Sequence, residues 1–139
     1  MSTRSYIGIS DDLFGTNEAR CLYCQFDGYL EGVGSTLFKC YNSETLADSL
    51  TAKGSLDSLR ETREKCDWYD EEDKSFRVKF DSESKDRYQD VFHMIDYRYV
   101  YDRKTQKWYE VEATRFFKFP AYLPLEDLLK AVLERKEEA

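Results

Sequence analysis

Alternation of apolar and polar side chains predicts a β-hairpin near the start of this chain. In residues 3–9, Tyr6 faces away from Ile7 and Ile9, and residues 19–26 resume the alternation beyond a turn-forming segment. Side chains on a strand alternate with a period of two, so each segment has one face for a core and one for a second layer. We expect the two segments to pair as antiparallel strands.

A second hairpin is predicted from residues 94–101 and 107–113, which alternate on either side of a polar turn. One face of its first strand carries Ile95, Tyr97, Tyr99 and Tyr101. Residues 76–80 predict a separate, half-buried strand. Residues 81–90 are polar and fit either a loop or a short helix. Residues 115–122 are aromatic and are expected to be irregular, because Pro120 and Pro124 oppose regular pairing at their own positions.

Helical spacing of apolar residues predicts three helices and one helical turn. The helices cover residues 35–41, 44–53 and 125–136, and Gly54 occupies the expected C-cap of the second one. Residues 55–64 fit a short helical turn. The C-terminal helix has acids in its first turn and bases in its last, as the helix dipole favours. Its apolar stripe consists of Leu128, Leu129, Val132 and Leu133.

These elements predict an α+β fold in a single domain, residues 1–139. The sheet is expected to be mainly antiparallel, with helices packed on one face and a helix at the C-terminus. A chain of 139 residues with 41% hydrophobic residues is long enough for one core and too short for two. We find no internal repeat and no low-complexity linker in it.

Charge restricts the classes of function. The net charge of -7 would repel nucleic-acid phosphates, so we expect no direct nucleic-acid binding. The same charge would speed the encounter with a basic, nucleic-acid-binding protein. No apolar run approaches the length of a membrane span, and the N-terminus lacks the apolar segment of a signal peptide, so we expect a cytoplasmic protein without membrane contact.

The cysteines and the single histidine are the candidate chemical groups. Cys21 and Cys24 have the spacing of a zinc half-site, which Cys40, Cys66 or His93 would have to complete. Residues three apart on a strand point to opposite faces, which favours buried free thiols over zinc. His93 lacks an identifiable nucleophile or orienting acid in the sequence, and no catalytic motif is present. We therefore expect a protein without a cofactor that is not an enzyme.

Two segments are predicted to contact a partner. The first is the glycine-rich loop that carries Asp27, Tyr29 and Glu31. The second is an acidic segment, expected to be a solvated loop, in which aromatic anchors stand among charges that would select a basic surface. Its residues are Asp67, Trp68, Tyr69, Asp70, Glu71, Glu72 and Asp73.

The sequence YCQFDGYLEGVG at residues 23–34 resembles a family of small, mostly uncharacterised proteins of bacteriophages and prophages. The similarity extends over about the first 60 residues, including residues 54–59, and residues 107–109 are similar too. Two positions depart from the family pattern, because Gln25 and Leu30 stand where relatives usually carry His and Pro. If that His did chemistry in the family, this chain has lost it.

The resemblance and the charge together lead to a functional hypothesis. Small acidic phage accessory proteins are often counter-defence factors, including anti-CRISPR inhibitors that occupy the basic groove of an effector nuclease as DNA mimics. We therefore expect an inhibitor that binds such a nuclease in the bacterial host. Two alternatives stay open: a module that sequesters a nucleotide signal, with Tyr23 and Tyr29 stacking beside Arg4, Arg20 or Arg98, and a zinc-stabilised interaction domain.

Overall fold

A computed structural model describes residues 2–81, 95–112 and 120–138. Within these residues eight strands form one sheet. The strands are β1 Ser5–Ser10, β2 Glu18–Cys24, β3 Lys53–Ser58, β4 Asp67–Lys74, β5 Phe76–Lys79, β6 Tyr97–Asp102, β7 Lys107–Glu112 and β8 Ala121–Pro124. Their order is β4-β3-β2-β1-β6-β7-β8, and β5 pairs with β2 outside this path. The sheet is mainly antiparallel, and parallel pairs join β1 to β6 and β2 to β3.

Both predicted hairpins are confirmed. β1 pairs antiparallel with β2 in continuous register from Ser5 opposite Cys24 to Ile9 opposite Arg20. β6 pairs antiparallel with β7, and the predicted strand at residues 76–80 is β5, which pairs antiparallel with the first half of β2. These strands could be recognised because apolar and aromatic residues recur along them, and the sheet buries those side chains on both of its faces.

Four helices accompany the sheet in the described residues: α1 Leu13–Thr16, α2 Ser35–Cys40, α3 Glu44–Thr51 and α4 Leu125–Glu138. The buried apolar residues of α2, α3 and α4 join one core cluster, which also holds Ile7, Leu22 and Tyr99. The predicted α+β architecture, with helices on one face and a C-terminal helix, is confirmed. The one-turn helix α1 was not predicted, and its Leu13 joins the other cluster, around Tyr6.

The prediction was wrong between Gly54 and Asp73. Residues 53–58 form strand β3 instead of a helix cap and a helical turn, and the acidic segment forms strand β4 instead of a loop. Gly54 does have a positive φ of 106°, but it has this conformation within β3, where the ring of Trp68 covers it. The β3–β4 pair is irregular and β4 lies at the edge of the sheet, so neither strand shows the alternation that identifies a half-buried strand.

The C-terminal part of the sheet also differs from expectation. Residues 121–124 form strand β8, in which Pro124 lies opposite Tyr109 of β7. Proline is tolerated there because β8 is the last strand of the described sheet, and an edge strand can leave one side without donors. The rest of the predicted irregular segment, residues 115–119, lies outside the described residues, as do residues 82–90 and His93. Ile95 precedes β6 and packs with the cluster around Tyr6, so it does not share a face with Tyr99.

Candidate functional site

The acidic segment is an exposed edge strand. β4 pairs with β3 on one side and has no strand on its other side among the described residues. Successive side chains alternate across it: Trp68 packs against the core below the helices, and Tyr69 is 79% exposed. Trp68 is held by a hydrogen bond from its indole N–H to the carbonyl oxygen of Arg63 at 3.2 Å, and the Arg63 guanidinium lies 4.6 Å from the ring centre. Tyr69 is therefore the ring on β4 that is available to a partner.

The carboxylates of β4 differ in whether they form an ion pair or a hydrogen bond. Glu72 forms an ion pair with Lys53 at 2.8 Å, and Asp67 forms one with Arg60 at 3.0 Å. Asp70 accepts a hydrogen bond from the backbone N–H of Glu72. In the part of the chain that the structure describes, Glu71 and Asp73 form no ion pair. The strand thus keeps uncompensated negative charge at the edge of the sheet.

A cavity of about 480 Å³ lies beside β4 and includes Tyr69 and Asp73 in its wall. Strands β2 and β3 and the residues just after β2 supply most of the remaining wall. The parallel register brings them together, because the backbone N–H groups of Gln25 and Phe26 donate to the carbonyl oxygens of Leu56 and Asp57, both at 2.9 Å. The lining residues are Arg4, Tyr23, Gln25, Phe26, Ser55, Leu56, Asp57, Tyr69 and Asp73.

The polar groups in this wall differ in whether they have a hydrogen-bond partner. The Tyr23 hydroxyl donates to Oε1 of Gln25 at 2.6 Å, and Nε2 of Gln25 donates to the Ser2 hydroxyl at 3.2 Å, so both groups have partners. Ser55 is 5% exposed, and its hydroxyl has no hydrogen-bond partner among the described residues. A buried hydroxyl without a partner costs about 1–3 kcal/mol, and because a hydroxyl can both donate and accept, either kind of polar group could relieve that cost.

The glycine-rich loop is held by its backbone. Asp27 has a φ of 58°, and its carbonyl oxygen accepts a hydrogen bond from Val33 at 2.8 Å, which leads into a π-helical turn at Leu30–Gly34. Gly28 forms two backbone hydrogen bonds. Its N–H donates to the carbonyl oxygen of Thr3, and its carbonyl oxygen accepts from the buried Tyr99 hydroxyl at 2.8 Å. The loop is a fixed turn with the Asp27 side chain exposed.

The two predicted contact segments are only partly brought together. Phe26, next to Asp27, lines the cavity with Tyr69 and Asp73. Asp27, Tyr29 and Glu31 are not part of that wall, and Glu31 is instead paired with Lys136 of α4 at 2.8 Å. The predictions missed Phe26, Ser55 and Asp57 as site residues. Tyr23 and Arg4 were singled out for stacking and charge, and both do line one cavity.

The cysteines do not assemble into the predicted zinc alternative. Cys21 and Cys24 belong to core clusters on opposite faces of the sheet, as the strand geometry indicated. Burial raises the pKa of Cys24 to about 12, so it stays a thiol at neutral pH. Cys66 accepts from the N–H of Arg60 and donates to the carbonyl of Thr62, both at 3.3 Å. Across residues 2–81, 95–112 and 120–138, no group of three or more His, Cys, Asp or Glu side chains is placed to hold a metal ion.

No helix among the described residues combines the length and the apolar character that crossing a bilayer requires. Compared with models of protein families, with curated proteins and with solved structures, the chain gives no match.

Proposed function

We propose that this chain is a protein-binding inhibitor whose acidic edge strand β4 occupies the basic groove of a nucleic-acid-processing protein. The most concrete target is a CRISPR effector nuclease, met in the cytoplasm of a bacterial host by a phage-encoded counter-defence protein. The phage assignment rests on the sequence resemblance at residues 23–34 and 54–59. The mode of binding rests on the charge and exposure of β4.

The observation that carries the proposal is a row of carboxylates on one exposed strand. β4 places five acidic residues within eight positions. At about 3.3 Å per residue, the strand carries roughly one carboxylate every 5 Å, compared with about one phosphate every 3.4 Å along a DNA strand. A basic groove that neutralises phosphates can therefore meet a comparable line of charge on this edge.

Tyr69 adds an anchor within this charged row. Its ring is largely exposed in this structure. Moving an aromatic ring out of water is favourable, so the Tyr69 ring can contribute binding energy when a partner covers it. Aromatic side chains that become buried at the centre of an interface supply much of the binding energy, and the surrounding charges select the partner and speed encounter. β4 combines the two contributions in adjacent residues.

Acidic residues and bulges on an edge strand also prevent edge-to-edge pairing with other chains. A protein whose acids served only this purpose would bind no basic partner. Binding to a basic nuclease at low salt therefore separates the two roles.

The cavity beside β4 bears on the nucleotide-sequestering alternative. Arg4 and Tyr23 share the cavity, as that alternative requires, but Tyr29 lies outside it and Arg20 is paired with Asp48 at 3.0 Å. Asp57 and Asp73 line the same cavity, so the charged side chains of its wall sum to a negative charge, which disfavours a phosphate. The charge of the site favours a cationic partner.

The proposal is tested by mixing the purified protein with several RNA-guided nucleases and measuring complex formation and cleavage at low and at high salt. We expect a complex with at least one nuclease, inhibition of its cleavage, and affinity that falls as salt rises. Nucleases that cut unhindered and form no complex even at low salt would contradict it. Depletion of a nucleotide signal from solution would support the alternative instead.

A further inference from the structure

We infer that the cavity beside β4 receives an arginine side chain of the basic partner. The inference rests on the proposed function and goes further, because it assigns the cavity a ligand class and names the residues that recognise it.

The charged residues of the cavity wall indicate the charge of the ligand. The cavity wall contains two carboxylates, Asp57 and Asp73, against one cation, Arg4, and Asp73 forms no ion pair within the described residues. A concave site lined by one excess charge focuses the field and concentrates ligands of opposite charge. An anion entering here would face the carboxylates, whereas a cation would neutralise them.

The aromatic rings distinguish between cations. Tyr23, Phe26 and Tyr69 come from three different segments and line one space. Aromatic faces attract cations, and a guanidinium is planar, stacks on rings and is more weakly hydrated than an ammonium. A guanidinium also carries five N–H donors that can engage a carboxylate through two bonds at once. Lysine offers a point charge with a larger hydration shell, so this wall favours arginine.

Two polar groups of the wall can accept hydrogen bonds from a cation. The Ser55 hydroxyl lacks a partner, and the Asp73 carboxylate is not committed to an ion pair in the described structure. A guanidinium that stacks near Tyr69 brings N–H donors to the Asp73 carboxylate. The cavity of about 480 Å³ falls within the range of about 300–1,000 Å³ that is usual for ligand sites, so it has room for a long side chain and part of its backbone.

The test uses two blocked tripeptides, Gly-Arg-Gly and Gly-Lys-Gly, titrated into the ¹⁵N-labelled protein at low salt. We expect the arginine peptide to shift the amide signals of residues that line the cavity, Tyr69 and Ser55 among them, and to bind about 3-fold or more tighter than the lysine peptide. Adenosine monophosphate is titrated as the anionic probe and is expected to cause no shifts there.

Matched variants locate the effect. Tyr69→Ala and Asp73→Asn should each weaken the arginine peptide by about 5-fold or more, since each removes a stacking face or a charged acceptor. The control is Glu71→Gln, which removes the same charge from β4 outside the cavity and should change affinity by less than about 2-fold. Tyr69 and Glu71 are exposed and Asp73 is only half-buried, so the fold should survive, and circular dichroism would verify it.

Equal binding of the two peptides, binding that Tyr69→Ala leaves unchanged, or binding of adenosine monophosphate in their place would overturn the inference. Its failure is separable from that of the proposed function. If Asp73→Asn and Glu71→Gln weaken a nuclease complex equally while no peptide binds, the acidic edge is the contact and the cavity is not. If the arginine peptide binds and no nuclease does, the cavity assignment stands and the proposed target is wrong.

Discussion

At the scale of single residues, Gly54 shows how strongly one position is constrained. Its φ of 106° is in the left-handed region that side chains rarely adopt, and an added Cβ would overlap the ring of Trp68. The sequence correctly indicated a glycine with a special backbone conformation. The predicted reason, a helix C-cap, was wrong. The neighbour that requires glycine is Trp68 on the next strand, 14 positions away in the sequence.

Replacing this glycine should destabilise the β3–β4 edge. We expect Gly54→Ala to lower the free energy of unfolding by about 2 kcal/mol or more, because backbone strain of about 1–3 kcal/mol is added to displacement of Trp68. Urea unfolding measures the change. Gly34→Ala is the control: Gly34 has no positive φ, and its nearest neighbour is the flexible end of Leu30 at 3.2 Å, so its cost should be smaller. Equal costs at the two positions would contradict the account.

The raised pKa of Glu110 predicts how the stability of the protein changes with pH. Burial, and then repulsion from Glu112, raise the pKa of Glu110 above its ordinary value of 4.5 in the folded state. A carboxyl with a raised folded pKa favours folding at pH values below 4.5 and loses that contribution as pH rises through its folded pKa. Glu110→Gln should therefore raise the melting temperature at pH 7 and have little effect at pH 4. Glu134→Gln on the exposed surface of α4 should change neither, and a less stable Glu110→Gln protein at pH 7 would refute the assignment.

The reactivity of the cysteine thiols tests their burial, and the same sample can be tested for bound metal. Cys21, Cys24 and Cys66 are buried and Cys40 is half-buried. We expect a thiol reagent at pH 8 to modify Cys40 first in the native protein and all four cysteines only in denaturant, because reaction requires an accessible thiolate. Elemental analysis of the same sample is expected to find no bound zinc. Fast reaction of Cys24, or zinc at one equivalent, would show that the β2 region is arranged differently.

At the scale of elements, the predictable parts of the fold are those with strong periodicity. The strands that form the two hairpins are rich in apolar and aromatic residues, which the sheet buries on its two faces, and α4 was identified by its apolar stripe and its terminal charges. β4 was missed because all its residues except Trp68 and Asp73 are exposed, so its sequence has the composition of a loop. The cavity could not be predicted, since its wall depends on the parallel pairing of β2 with β3 across the intervening helices.

The contact between β6 and the glycine-rich loop is an element-level link that mutation can test. Tyr99→Phe removes the hydroxyl that donates to Gly28 at 2.8 Å and leaves a carbonyl oxygen without its buried donor. We expect a loss of about 1–3 kcal/mol in the free energy of unfolding, measured by urea denaturation. Tyr97→Phe is the matched control, because Tyr97 stacks on Tyr99 and its hydroxyl has no hydrogen bond within the described residues. A loss as large for Tyr97→Phe would show that ring packing, rather than the Gly28 bond, dominates.

At the scale of the whole molecule, the acids that give the net charge of -7 differ in whether a cation pairs with them in the described structure. Arg103 gathers Asp11, Glu44 and Asp48 into ion pairs at 2.9–3.2 Å, so several acids on that side of the sheet are compensated. At one edge of the sheet, β4 carries acids of which Glu71 and Asp73 are not paired in the described structure. The molecule thus has one edge that can attract a basic surface while the rest of the protein stays folded around its sheet.

The central claim is that the β4 edge, and not net charge alone, binds a basic partner. The most direct measurement compares the affinity of two triple variants for the nuclease that binds the native protein best. Asp70, Glu71 and Glu72 are changed to Lys in one, and Glu112, Glu134 and Glu137 are changed to Lys in the other, so both change the net charge by the same amount. The first should bind on the order of 10-fold or more weaker at low salt with its fold intact, because the exposed acids stabilise the fold little, and the second should keep most of its affinity. Equal weakening by both variants, or undiminished binding by the first, would contradict the account.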